Sequence, residues 1–231
     1  MTDQEFSRIV RFMSSGYGVE LAKKKVIVSG RLDHYLAVNG FHTYSEFMDH
    51  VETDYTGREA QNLVDILTTN HTYFMREFEH FEFLRDMVLP ELKKKLDRNH
   101  DLRIWSAAAS TGEEPYTIAM LIKDFLGLDY PNWDTNVLAT DISMKVLKYA
   151  IKGRYLEEQV VPLPGKWIQS NFRRVSNDEY EVRKELKDKV LFRQFNLMHP
   201  LPFKNKLHVV FLRNVMIYFS EETKCCGQAF L

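Results

Sequence analysis

The clearest candidates for chemistry in this chain are two adjacent carboxylates, Glu113 and Glu114, which follow a short turn of small residues. The turn comes after an apolar run at 102–109 that ends in three alanines. Small side chains at the end of a strand let a ligand approach the backbone, and a helix that starts there points its free N–H groups at the ligand. Ser110 with Glu113, and Thr111 with Glu114, each have the spacing of a capping box. The stretch therefore predicts a ligand-binding strand, turn and helix.

The charge of this turn narrows the class of ligand. A phosphate site would carry Gly-x-Gly-x-x-Gly, or Lys-Ser/Thr after the glycines, and the turn has neither. Two carboxylates would repel a phosphate, but they would attract a cation or accept hydrogen bonds from an amine and from hydroxyls. S-adenosylmethionine has ammonium, sulfonium and ribose groups and no phosphate, so it fits better than a dinucleotide. The alternative is that both glutamates only cap the helix.

Other apolar runs predict the sheet that positions this turn. Three of them end in polar residues: 136–141 in Asp141, 190–195 in Asn196, and 207–212 in Arg213 and Asn214. An acid at the end of the second strand of a βαβ unit is where doubly wound folds hold ribose hydroxyls, although a lone Asp there can also be a simple N-cap. Because ligands of open α/β sheets lie outside the carboxyl ends of the strands, these ends predict one shared site.

The same residues resemble those of a known family, the CheR-type chemotaxis receptor methyltransferases, which are protein-glutamate O-methyltransferases. The matching segments are Thr69–Glu77, Trp105–Tyr116, Ala139–Ser143 and Leu212–Phe219, and the resemblance runs from about residue 20 to about residue 224. It implies an α/β fold class: a helical N-terminal domain and a class I, Rossmann-like S-adenosylmethionine-dependent methyltransferase domain with a small antiparallel β-subdomain.

The resemblance also implies a cofactor, S-adenosyl-L-methionine, which becomes S-adenosyl-L-homocysteine. The cofactor-binding residues that it implies are Asn70, Thr72, Arg76, Glu114, Asp141, Asn196, Leu197, Arg213 and Asn214. Of these, Asp141 would take the ribose hydroxyls, and Asn196 and Leu197 would lie near the adenine. Glu113 and Glu114 are adjacent, and the sequence does not decide which of them faces the ligand.

Arg76 and Tyr218 are the candidate catalytic residues. A guanidinium fork suits a carboxylate, so Arg76 is expected to hold the incoming glutamate, and Tyr218 to orient it or close the pocket. The alternatives are a structural ion pair of Arg76 with Glu77 or Glu79, and a core aromatic role for Tyr218. No general base is expected, because a glutamate side chain is already ionised at neutral pH.

The chain is expected to divide near residue 70. Apolar residues recur at helical spacing in a helical N-terminal domain at 1–69, which by resemblance faces the receptor. Residues 70–96 are expected to form a helical linker, with the helix ending near Pro90. The S-adenosylmethionine-binding domain would occupy 97–231, with the β-subdomain inserted at about 170–195.

The β-subdomain is predicted from two strand-like segments, Asn171–Val175 and Glu179–Arg183, on either side of a turn at 176–178. Val190–Phe195 is expected to be their neighbour. Family members that bind a tethering peptide of the receptor carry a glycine-rich extension in this turn. No glycine occurs here, which favours a member that does not need the peptide.

Lys23, Lys24, Lys25 and Arg31 are the main basic cluster of the N-terminal part. The cluster is either an ordinary solvated helix face or, as the resemblance implies, a docking surface for the acidic helices of a receptor, where charge sets the encounter rate. The expected partner is the cytoplasmic domain of a methyl-accepting chemotaxis receptor.

Composition limits the other partners. With 31 Lys and Arg against 32 Asp and Glu in 231 residues, nothing points to nucleic acid. No apolar run approaches the ~20 residues of a membrane span, so no membrane insertion is expected. The only cysteines, Cys225 and Cys226, are adjacent, and the eight histidines show no ligand spacing. We therefore expect no metal, no disulfide framework and a cytoplasmic location.

The end of the chain departs from the family. Relatives continue past Phe219 with a helix and further strands, and 224–231 does not resemble that helix. A C-terminal truncation is therefore expected, with the fourth strand left as an apolar edge, poor stability or self-association, and weak activity. The expected function is methyl-ester formation on receptor glutamates. The alternatives are a truncated, non-catalytic cofactor-binding or receptor-docking module, or a methyltransferase for another substrate.

Overall fold

The computed structural model describes residues 1–219, and the expectations for residues 220–231 lie outside them. The α-helices are α1 Asp3–Tyr17, α2 Lys25–Asn39, α3 Tyr44–Thr53, α4 Arg58–Leu67, α5 Glu79–Phe83, α6 Leu89–Lys95, α7 Glu113–Leu126, α8 Met144–Lys152, α9 Glu157–Val160, α10 Gly165–Asn171 and α11 Lys184–Lys187. The strands are β1 Ile104–Ala107, β2 Val137–Asp141, β3 Arg154–Leu156, β4 Phe172–Arg174, β5 Glu179–Val182, β6 Val190–Gln194 and β7 Val209–Leu212. Shorter turns are a π-helical one at Leu84–Val88 and 3₁₀ turns at Gly127–Asn132 and Met216–Tyr218.

Helices α1 to α4 pack around their own apolar core. Ile9 and Met13 of α1 are fully buried together with Leu32, Phe47 and Leu63 of the next three helices. Burying each such side chain contributes about 1.5–3 kcal/mol. The helical spacing of apolar residues in the sequence therefore marks the inner faces of a four-helix unit, as predicted.

The four predicted strands of the larger sheet are present and parallel, in the order β6-β2-β1-β7. Ile104 of β1 lies opposite Val137 on one side and Val209 on the other. Every residue of β1 is buried, which is typical of a central parallel strand covered on both faces. The carboxyl ends of all four strands consequently meet at one edge, and the predicted α/β fold class is confirmed.

The smaller sheet differs from the prediction in one strand. Its order is β3-β5-β4 with antiparallel pairing, so the predicted hairpin of β4 and β5 is present. The third strand, however, is β3 at Arg154–Leu156, and the expectation that Val190–Phe195 would fill this place is wrong. Those residues form β6, whose apolar Val190 and Phe192 are buried in the larger sheet beside β2.

The helix in the linker ends later than predicted, at Lys95 rather than near Pro90. α5, the π-helical turn and α6 follow one another without a break, so the helix passes through Pro90 and ends at Lys95. Proline lacks an N–H and its ring collides with the carbonyl four residues earlier in a regular α-helix. In the π-helical turn the N–H of Leu89 bonds instead to the carbonyl of Leu84, five residues back. This wider turn shifts the bonding just before Pro90 and lets the helix continue.

The four-helix unit lies against the carboxyl edge of the larger sheet. Gln61 of α4 donates to the carbonyl of Ile142 at 3.1 Å, and the N–H of Glu20 donates to the carbonyl of Tyr218 at 2.8 Å. Ile142 also packs against the helical core. The strand ends are thereby covered on the side where a ligand would sit. Across residues 1–219, none of the helices has both the length and the apolar character needed to span a membrane.

Candidate cofactor site

A cavity of about 390 Å³ lies between the strand ends and the four-helix unit. This volume falls within the range of small-molecule sites. Every side chain proposed for the site from the sequence lines it: Asn70, Thr72, Arg76, Glu114, Asp141, Asn196, Leu197, Arg213, Asn214 and Tyr218. Residues up to 148 positions apart in the chain are thus brought together around one cavity.

The turn after β1 is formed by left-handed backbone rather than by side-chain caps. Helix α7 starts after Gly112, and no side chain caps it, so the predicted capping boxes of Ser110 and Thr111 are wrong. The backbone is left-handed at Ala108, Ser110 and Gly112, with φ values of 66°, 49° and 98°. A Cβ on Gly112 would lie 2.8 Å from the Cβ of Ala150, so the turn requires glycine there.

The structure shows that only one of the two adjacent glutamates faces the cavity. Glu114 lines the cavity, accepts a hydrogen bond from Ser106 Oγ at 2.8 Å, and forms an ion pair with Arg213 Nη1 at 2.8 Å. Glu113 is 1% exposed and does not line the cavity; it accepts a hydrogen bond from Thr111 Oγ1 at 2.6 Å. Burial raises the pKa of both carboxyls, and contacts with Ser106 and Arg213 oppose that rise at Glu114. Glu114 is therefore the acid available to a ligand.

Asp141 is held by backbone rather than by a cation. Its carboxylate accepts the N–H of Ser110 at 2.8 Å and the N–H of Ser143 at 2.9 Å. Ser110 Oγ in turn donates to the carbonyl of Asn70 at 2.8 Å, and Ser143 caps α8 by accepting the N–H of Val146. Burial raises the pKa of Asp141, and these backbone N–H groups oppose the rise. The carboxylate is fixed in place at the wall of the cavity.

Arg213 joins two acids across the site. Besides Glu114, its guanidinium contacts Glu77 Oε2 at 3.2 Å and donates to the carbonyl of Arg76. Its Nε is buried and has no hydrogen-bond partner within residues 1–219, which leaves a donor beside the cavity. Arg76 donates to the carbonyl of His71 at 2.7 Å and lies 3.8 Å from Glu77, a distance too long for a hydrogen bond.

Asn196 and Tyr218 connect the site to the four-helix unit. Asn196 Nδ2 donates to the carbonyl of Gly16 at 2.8 Å, and the ammonium of Lys24 lies 5.1 Å from the ring centroid of Tyr218. Tyr218 is partly exposed rather than a buried core aromatic. Both residues therefore lie where the four-helix unit meets the cavity.

Sequence reasoning missed the part of the wall that the helical unit supplies. The additional lining residues include Tyr17, Val19, Lys24, Ile27 and Arg31. Their periodicity predicts helices, but it carries no information on which face meets a distant sheet. Arg31 donates to the carbonyls of Leu67 at 2.9 Å and Thr68 at 3.0 Å, so it is a fixed internal contact rather than part of a free basic face.

The donor set of the cavity fits S-adenosylmethionine. Glu114 and Asp141 offer carboxylate oxygens to an ammonium and to ribose hydroxyls, and the left-handed turn lets a ligand approach the backbone. Arg213, one of the cations that line the cavity, is already shared between Glu114 and Glu77. No cluster of three His, Cys, Asp or Glu residues that could hold a metal occurs in the part of the chain that the structure describes.

Known proteins with similar sequences share both parts of this architecture. Residues 70–226 match the SAM binding domain of the CheR methyltransferases, and residues 4–68 match their all-alpha domain. A chemotaxis protein methyltransferase of Borreliella burgdorferi is 39% identical over 229 residues, which is 97% of this chain and 81% of that protein. Chemotaxis protein methyltransferase 2 of Pseudomonas aeruginosa is 35% identical, over 96% and 79% of the two chains. The chemotaxis protein methyltransferase of Escherichia coli K12 is 36% identical, over 97% and 77%.

These matches confirm the predicted resemblance and the predicted cofactor, since the matched catalytic domain is one that binds S-adenosyl-L-methionine. They extend through both the four-helix unit and the sheet that carries the cavity. The chain therefore belongs to the CheR family of methyltransferases.

Proposed function

We propose that this chain transfers a methyl group from S-adenosyl-L-methionine to glutamate side chains of chemotaxis receptors and so forms methyl esters. The observation that carries the proposal is that Glu114, Asp141 and Arg76 line the same cavity. The chemotaxis methyltransferases at 35–39% identity support the assignment to chemotaxis. The matched domain supports methyl transfer.

Several side chains would hold the cofactor, which supplies a methyl group on a sulfonium sulfur when bound. Asp141 would accept hydrogen bonds from the ribose hydroxyls, because its oxygens are already oriented by two backbone N–H groups. Glu114 would accept from the ammonium group. Asn196 and Leu197 would lie near the adenine. The acids on this wall favour a cationic ligand over a pyrophosphate.

Arg76 would hold the substrate carboxylate. Its ion pair with Glu77 is long, so the guanidinium keeps donors for an incoming carboxylate at the cavity wall. Tyr218 would orient that carboxylate or close the site over it. The substrate glutamate is ionised at neutral pH, so no base is required, and the chain contributes alignment and the exclusion of water.

The partner we propose is the cytoplasmic part of a methyl-accepting receptor, and we accordingly place the reaction in the cytoplasm. Lys24, the N-cap residue of α2, lines the cavity, and the exposed Lys23 precedes it in the chain. Exposed cations there would speed the encounter with an acidic receptor helix. The units we propose are the receptor-facing residues 1–69, the linker at 70–96 and the catalytic residues 97–231.

The test combines transfer and binding. Wild-type protein, labelled S-adenosylmethionine and receptor membranes should give methyl groups on the receptor that alkali releases. Arg76→Ala should abolish this transfer while the affinity for S-adenosylhomocysteine, measured by calorimetry, stays within a few-fold. Arg98→Ala, which changes an exposed arginine that does not line the cavity, is the matched control and should leave both unchanged.

Three results would redirect the proposal. Binding of S-adenosylhomocysteine without transfer to any acceptor would favour a non-catalytic cofactor-binding or docking module. Transfer to an acceptor other than a receptor, or a label that resists alkali, would indicate a different substrate. Equal losses of transfer and cofactor affinity in Arg76→Ala would show that Arg76 serves the cofactor or the fold.

A further inference from the structure

The segment that carries Arg76 has an unusual backbone. Met75 and Glu77, on either side of Arg76, have positive φ values of 62° and 52°. Residues other than glycine seldom adopt this left-handed region, and they remain there only when the surrounding structure holds them. The residues on both sides of Arg76 are thus kept in a backbone conformation that needs support from the surrounding structure.

Glu77 supplies the contacts that hold this segment. Its Oε1 accepts a hydrogen bond from Asn214 Nδ2 at 2.9 Å, and its Oε2 lies 3.2 Å from Arg213 Nη2. His80 Nδ1 lies 3.5 Å from the same Oε2. The hydrogen bond from the amide of Asn214, together with the cationic Arg213, lowers the pKa of Glu77, so it is ionised at neutral pH. One carboxylate therefore joins the segment around Arg76 to both residues that follow β7.

Glu77 does this from outside the cavity. It is not among the residues that line the cavity, and its side chain is 40% exposed, whereas Arg213 is 11% exposed. The carbonyl of Arg76 also accepts a hydrogen bond from Arg213. Arg213 in turn pairs with Glu114 at 2.8 Å. The arginine proposed for the substrate and the glutamate proposed for the cofactor are consequently tied to the same cation.

We propose that Glu77 is a positioning residue for methyl transfer: it clamps the left-handed Arg76 segment onto Arg213 and Asn214 and thereby sets the guanidinium of Arg76 for the substrate carboxylate. This inference rests on the proposed function. Without the carboxylate, Arg213 keeps its stronger pair with Glu114, and the strained segment is released. Cofactor contacts then stay in place while Arg76 moves. A displacement of about 1 Å of a positioning group costs on the order of 100-fold in rate.

The test begins with Glu77→Gln, which keeps the size of the side chain and removes the charge that faces Arg213. We expect kcat for methylation of receptor membranes to fall about 10- to 100-fold. The dissociation constant of S-adenosylhomocysteine, measured by calorimetry, should change less than about threefold, because Ser106 and Arg213 still hold Glu114. The matched control is Glu82→Gln, which removes an exposed ion pair with Arg85 on the neighbouring helix and should leave both values unchanged.

A double-mutant cycle separates positioning from general damage. In an Arg76→Lys background, adding Glu77→Gln should lower kcat less than about twofold further, because the group that Glu77 positions is already altered. If Glu77→Gln does not fold, Glu77→Asn replaces it in both arms, since asparagine tolerates the left-handed backbone. Loss of fold in both variants would show a structural role and overturn the proposal.

Other results would also overturn it. Wild-type kcat in Glu77→Gln would show that the clamp is not needed, and fully additive losses in the cycle would show that Glu77 does not act through Arg76. Equal loss of S-adenosylhomocysteine affinity and kcat would place Glu77 with the cofactor. Failure of the proposed function is distinguishable, because then the wild-type protein itself would not methylate receptor membranes.

Discussion

The cavity has two acidic corners, one at Asp141 and one at Glu114, and their carboxylates are held by different kinds of contact. Asp141 is fixed by backbone N–H groups of the turn after β1 and the start of α8, while Glu114 is fixed by the guanidinium of Arg213, 99 residues further along the chain. A carboxylate held by backbone keeps its place when neighbouring side chains change. A buried carboxylate held by one cation loses its only neutralising partner when that cation is removed. The corner at Asp141 is thus robust, and the corner at Glu114 depends on an ion-pair network.

The largest effect on stability is expected at the ion-paired corner. Arg213→Ala leaves Glu114 buried without its cation, and the free energy of unfolding should fall by about 3 kcal/mol or more. Denaturant unfolding measures this, with Arg98→Ala as the control. Adding Glu114→Gln to Arg213→Ala should recover part of the loss, because the unpaired charge is then gone. A loss below about 0.5 kcal/mol, the level of ordinary surface changes, would contradict the ion-pair account.

The turn between the corners should be next in sensitivity. Gly112→Ala introduces a Cβ at 2.8 Å from Ala150 on a backbone with φ 98°, and we expect a destabilisation of about 2–4 kcal/mol from strain and overlap together. Gly57→Ala is the control, because Gly57 has φ 68° and open space around it. It should cost only the strain, about 1 kcal/mol. Equal losses in the two variants would show that crowding at the turn is unimportant.

This contrast explains how much could be predicted from the sequence. The corner at Asp141 is local: an apolar strand, an acid and a serine cap follow one another, and each has a sequence pattern. The parallel sheet was predictable for the same reason. The corner at Glu114 depends on which of the adjacent Glu113 and Glu114 faces the cavity. It also depends on Arg213, which contacts Glu77, 136 residues away in the chain. Neither leaves a periodic or spacing signal: the end of the fourth strand pointed to Arg213 as a site residue, but nothing in the sequence pointed to its pairing with Glu114 and Glu77.

Other errors also come from tertiary context. Pro90 is a helix-stopping signal, but a π-helical turn accommodates it. The residues 190–195 have the pattern of a strand, and the pattern does not say which sheet receives it. The contribution of α1 and α2 to the cavity wall was missed, because amphipathic spacing identifies a buried face without identifying its distant neighbour.

A smaller effect is expected on cofactor affinity at the robust corner. Asp141→Ala should weaken binding of S-adenosylhomocysteine by about 1–3 kcal/mol, the cost of losing a charged hydrogen-bond partner. Calorimetric titration measures it, and Asp97→Ala, at an exposed position of the loop before β1, is the control. Unchanged affinity in Asp141→Ala would remove Asp141 from the ribose site.

The smallest effect concerns pH. Burial raises the pKa of Asp141 above its ordinary value of 3.8, so the ligand-free folded chain holds that proton more tightly than the unfolded chain. The resulting stability is fully present below that ordinary value and is lost as pH rises through the folded pKa. Denaturant unfolding at several pH values should therefore show wild type losing stability relative to Asp141→Asn over this window. A relative gain by wild type as pH rises would contradict the direction of the shift.

The most direct test of the account is a calorimetric comparison of two ligands on the wild-type chain. The central claim is that the cavity, with Glu114 and Asp141 on its wall, accepts a nucleoside that carries an ammonium group and no phosphate. Titration with S-adenosylhomocysteine should show saturable one-site binding, and titration with NAD at the same concentrations should show none. Comparable or tighter binding of NAD would contradict the account, because two carboxylates would then be receiving a pyrophosphate.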